Sequence, residues 1–197
     1  MTIAPDLHED SLDLGEARHV AAHAVAHLHF GQRFGSLGAH AAGWWEVIDP
    51  IWGPDPVTKA RVSLAGACMD MAVDLIEDGD SPGTGPWIES WRDDVAHHTH
   101  GYRHDMVAAR GGVADAASWS LAFCRLNFDL IDELAMMLVR AEAPIDYNAL
   151  AARFHGRTVD VDPDALEAAE FDFAGQTLAL EGVDDAVADY LAADGTK

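Results

Sequence analysis

Apolar residues recur every three to four positions along most of this chain, the period of a helix with one buried face. Over residues 13–30 an alanine-rich run follows Asp13 and Glu16, a spacing that resembles a capping box and predicts a first helix. Gly31, Gly35, Gly38 and Gly43 forbid its continuation. Between them Phe34, Leu37, Trp44, Trp45, Val47 and Ile48 suit a short hairpin or irregular strands over 33–51. Asp55-Pro56 restarts the helical pattern, with Asp as cap and Pro in the first turn. Val57, Ala60, Leu64, Cys68, Met71 and Leu75 carry this second helix to Gly79.

The breaker-rich loop over 80–86 leads into a third helix near Trp87, with Gly101 as a kink and Gly111-Gly112 as its stop. Asp115 caps a long fourth helix striped by Leu121, Phe123, Leu126, Leu130, Leu134 and Leu138 and ended by Pro144; Asp146 caps a short fifth through Phe154. The expected fold class is therefore mainly α (α+β): about five core helices, with a small β-hairpin or irregular strands between the first two. Residues 1–156 form the helical domain. From 157 to 197 the acidic residues face only Arg157 and Lys197, which marks an acidic C-terminal extension. Phe171, Phe173, Leu178, Leu180, Val183 and Leu191 make it too apolar for a disordered tail. A fold back onto the body is expected, with a strand near 177–180 and a last helix from Asp184.

Composition narrows the function classes. Thirty-four Asp and Glu against twelve Lys and Arg give a formal net charge of −22, which repels phosphate backbones and anionic lipid surfaces. Nucleic acid and membrane are poor partners, whereas a peptide, protein substrate or protein partner fits. Acidity of this degree is equally a solubility adaptation. No apolar run is long enough to cross a bilayer, and the acidic start lacks the pattern of a secretory signal, so a cytoplasmic location is expected. Cys68 and Cys124 sit far apart in apolar helical contexts and read as reduced core thiols.

The chemistry is concentrated in the first helix. His23 and His27 lie four residues apart, one turn above each other on a helix face, where two imidazoles can address one metal ion; His19 extends the row by a turn. Eleven histidines make such a pair easy to obtain by chance. Two ligands do not complete a site, so a third is required.

The run from Arg18 to Leu28 resembles the active-site helix of the FtsH-type zinc metallopeptidases, whose motif is His-Glu-Ala-Gly-His. The stretch Val62-Ser63-Leu64-Ala65-Gly66-Ala67-Cys68-Met69-Asp70 is similar to that family's Leu-Gly-Gly-x-Ala-Ala-Glu segment, in the family's order. The resemblance spans roughly residues 16–154. It implies a zincin-like fold with zinc held by His23, His27 and an acid on the next helix, where Asp93, Asp94 and Glu89 all qualify. It also implies a glutamate general base where this chain has Ala24. Zinc does not depend on that position, but water activation does, and losing a positioned base costs on the order of 10²–10⁴ in rate. The resemblance thus implies a metallopeptidase scaffold nearly inactive in hydrolysis, either a natural pseudopeptidase or an inactivated variant of an active enzyme.

Two other readings stand beside it. A non-catalytic helical binding protein would have an incidental His pair and an acidic extension for a basic partner. A His-rich helical bundle would use His97, His98, His100 or His104 beside a carboxylate, but the glycine-rich segment between the first two helices argues against it, and a solvent-facing polar helix surface is the better account of those four.

Overall fold

The computed structural model of the chain describes residues 7–39, 45–77 and 83–194; Trp44 and Gly79 fall outside them. It is mainly helical with a small antiparallel sheet, in the class that the periodicity predicts. The chain forms two compact units, one built from residues 1–52 and 127–158, the other from 53–126 and 159–197.

In the first unit α1 (Leu7–His29) packs against α6 (Phe128–Val139). The helix begins at Leu7, earlier than the Asp13 cap predicts. Its buried face is rich in alanine, Ala17, Ala21, Ala22, Ala24 and Ala26, with Val20, Val25, His27 and Leu28. Arg18 ties the pair together, its Nε 2.8 Å from Asp132 and its guanidinium over the Phe128 ring. After α1 come the hairpin strands β1 (Ser36–Ala39) and β2 (Trp45–Ile48), antiparallel with Leu37 opposite Val47. A short third strand, β3 (Ile145–Asp146), joins the free edge of β1 and leads into α7 (Tyr147–Phe154), capped as expected by Asp146 through the Asn148 N–H.

In the second unit α2 (Pro56–Glu77) packs on α5 (Val113–Leu126). Asp55 caps α2 as expected, accepting from the N–H groups of Val57 and Thr58 at 3.2 and 3.0 Å. Ala60, Ala65 and Ala67 of α2 and Ala116, Ala117 and Ala122 of α5 are buried among larger side chains, Leu64, Met69, Leu121 and Phe123. The Cys124 thiol lies 3.2 Å from the Ala65 carbonyl and the Ser120 hydroxyl 3.1 Å from that of Arg61. Both cysteines are free and buried, and burial pushes their thiols far above the ordinary range.

Three expectations fail for identifiable reasons. The single third helix is two, α3 (Gly85–Ala96) and α4 (Arg103–Ala109). The Asp94 carboxylate accepts from the Tyr102 N–H at 2.7 Å and from the Thr99 hydroxyl, and it fills the space where a Cβ on Gly101 would lie. Gly101 therefore belongs to a turn. The long fourth helix divides into α5 and α6 at Asn127, a buried polar residue with φ −110° and ψ 16°, of the type that competes with helical hydrogen bonds. The strand expected at 177–180 is the start of α9 (Thr177–Asp194), whose buried Leu180, Val183 and Val187 follow helical spacing. With α8 (Pro163–Asp172), α9 packs within the second unit, where Asp184 receives the Val113 N–H at 3.0 Å.

Gly38 tests the packing of the sheet. A Cβ there would lie 2.8 Å from the Pro144 Cα, a backbone atom that cannot swing aside. Gly38→Ala should lower the unfolding free energy in urea by about 1–3 kcal/mol. Gly15→Ala, in open space within α1, should raise it by about 0.5–1 kcal/mol.

Candidate metal centre

One face of α1 presents His19, His23 and His27 at successive turns, yet their surroundings differ. The rings of His19 and His23 meet edge to face, centroids 5.0 Å apart, and their Nε2 atoms approach to 3.3 Å. Two nitrogens that each lie about 2.0–2.1 Å from one tetrahedral zinc are separated by about 3.3 Å. Both side chains are half-buried. The spacing is thus that of two ligands on one ion, and it is also within reach of a single long imidazole–imidazole hydrogen bond.

His27 occupies different terrain. It is 1% exposed, with its ring 4.9 Å from that of Trp52 and 5.7 Å from that of Phe34. Burial, reinforced by the nearby charge of His23 and partly opposed by a hydrogen bond with Gln32, lowers its pKa to about 4. At neutral pH it is an uncharged ring in an aromatic setting. Its Nδ1 has no hydrogen-bond partner among the described residues.

The expected general-base position, Ala24, is fully buried. Taking His19 and His23 as the pair moves the residue after the first histidine to Val20, also buried. In neither register does this position hold a proton acceptor.

The acids singled out from sequence all lie in the second unit. Asp93 is exposed, its carboxylate 3.5 Å from the Arg92 guanidinium, and Glu89 is exposed as well. Asp94 is committed to the α3–α4 turn through Tyr102 and Thr99. Among the described residues the most buried acid there is Asp105, in the first turn of α4 and 7% exposed, which the sequence reading passed over. Burial first, then the charge of Asp70 and its hydrogen bond, then the charges of Asp105 and Asp94, push the Tyr102 phenol well up. Asp70, the acid of the second family-like segment, is thus placed beside Tyr102. His97, His98, His100 and His104 are exposed, as a solvent-facing surface requires.

No family model, no curated protein and no solved structure matches this chain. The geometry of the site is what bears on function. No helix among the described residues is long and apolar enough to cross a membrane.

His27 gives the first unit a definite acid response. An unfolded histidine takes up a proton near pH 6.5, whereas the folded ring resists until about pH 4. The unfolded state therefore binds more protons between these values. Its contribution is intact above pH 6.5, falls as the pH drops toward 4 and levels off below, a loss of about 3 kcal/mol in all. Urea titrations between pH 6.5 and 4.5, with chelator present, should show this slope in the wild type and its loss in His27→Phe.

Proposed function

We propose that this chain is a metal-binding helical protein of the zinc-peptidase type in which the proton-transfer step of hydrolysis is missing. The observation that carries the reading is the 3.3 Å approach of the His19 and His23 Nε2 atoms across one turn of α1. Held this way, two imidazoles require little reorganisation to take a zinc ion, with a carboxylate as further ligand. The metal pair then lies one turn before the His23–His27 pair to which the spacing first points, and His27 supports the helix by packing against Phe34 and Trp52.

Loss of hydrolysis does not depend on which pair binds. Val20 follows His19 and Ala24 follows His23, and neither side chain can take a proton from a water on the metal. What remains is metal-dependent binding of a peptide or protein. One observation favours the rival reading, a binding protein with an incidental pair: His27, the last of the row, is buried against the Phe34 and Trp52 rings.

Zinc titration of the chelator-stripped protein separates them. One zinc per chain is expected, with His19→Ala and His23→Ala each weakening it by at least about 10–100-fold, the loss that even an outer partner of a metal ligand causes. His27→Phe should retain the metal. Absence of stoichiometric zinc, or an affinity indifferent to His19→Ala, would sink the reading. The zinc-loaded wild type should leave a denatured protein substrate intact.

A further inference from the structure

The turn between α8 and α9 has two large apolar side chains pointing into water: Phe171 is 79% exposed and Leu178 82%. Single exposed hydrophobes are ordinary on protein surfaces. These two flank one turn and stand out against their neighbours Ala169, Phe173 and Leu180, which are all buried. The segment is also firmly anchored. The Asp172 carboxylate is 2.5 Å from the Arg125 guanidinium, and the Asp172 carbonyl accepts from the buried Thr84 hydroxyl at 2.8 Å. Phe171 is therefore held outward by a fixed backbone.

Beside it lies an open cleft of about 520 Å³, lined by Arg125, Asp164, Glu167, Ala168, Phe171 and Asp172. Three carboxylates face one guanidinium there, and Asp172 already occupies that guanidinium. Asp164 and Glu167 have no ion-pair partner among the described residues. An apolar wall next to uncompensated carboxylates is complementary to a lysine or arginine whose neighbours are apolar.

Charge selects among occupants. A second copy of a chain with net charge −22 is repelled, and so are nucleic acid and anionic lipid. We propose that the α8–α9 turn is a docking surface for a basic, amphipathic segment of another protein. Phe171 and Leu178 are its apolar anchors, and the adjoining cleft receives a cationic side chain. This surface lies wholly in the second unit and does not rest on the metal reading.

The probe is a fluorescein-labelled helical Leu/Lys peptide of about 15–20 residues, with leucines at three- and four-residue spacing. A Ser/Lys peptide of equal charge and a Leu/Glu peptide accompany it. At about 0.15 M salt the Leu/Lys peptide should bind the full chain, and both companions should bind at least about tenfold more weakly. The double variant Phe171→Ala, Leu178→Ala should weaken Leu/Lys binding about tenfold or more. Because both side chains are exposed, its melting temperature should stay within about 2 °C of wild type. Asp164→Asn with Glu167→Gln should weaken binding and flatten its salt dependence. Equal affinity of wild type and the Phe171/Leu178 variant would overturn the proposal. Ser/Lys or Leu/Glu binding as tight as Leu/Lys would do the same, as would a dimer of the wild type that the double variant dissolves, since the occupant would then be a second copy.

Discussion

Close approach of elements at positions that carry only alanine or glycine is a constraint that recurs in both units. Ala17, Ala21 and Ala24 in α1 and Ala65, Ala67 and Ala72 in α2 are fully buried, and each removes only a small apolar area from water. What these positions add is close atomic contact, and a gap of about 0.5–1 Å already forfeits a quarter to a half of each contact. At Gly112 an added Cβ would stand 2.9 Å from the Ala60 methyl. At this separation side chains as short as serine and cysteine reach the carbonyl oxygens of the facing helix, so the polar bonds across α2 and α5 follow from the smallness of the residues.

The three histidines of α1 show how a shared spacing yields different chemistry. His19 and His23 keep partial access to water and turn their nitrogens toward each other. One turn on, Phe34 and Trp52 enclose His27 and favour its neutral form. The difference comes from what the segments before and after the hairpin bring against the last turn of the helix.

The sequence alone identifies the row, whereas the surroundings that set its members apart come from tertiary packing. Features written in adjacent residues were legible: the Asp55 and Asp146 caps, the helix from Pro56, the hairpin between the first two helices. Features that depend on a side chain finding a distant backbone group were not. Asp94 looked like a free acid on a helix, because its bond to the N–H of Tyr102 spans eight residues and exists only once α3 has ended. Asn127 divides one apolar stripe into two helices that belong to different units, and nothing in the stripe marks the division. Asp105 was overlooked because burial of an acid is decided by tertiary packing. In the C-terminal segment, Leu180, Val183 and Val187 held the helical period, but the local composition near 177–180 drew the reading toward a strand.

The thiols of Cys68 and Cys124 add a property of a different kind. Each lies near a carbonyl of the opposite helix, is sealed from solvent and is held in its protonated form. An alkylating reagent needs both access and a thiolate, so neither cysteine can react until α2 and α5 part. The seam between these helices thus carries its own chemical clock, and the pace of covalent labelling reports how often that part of the molecule opens.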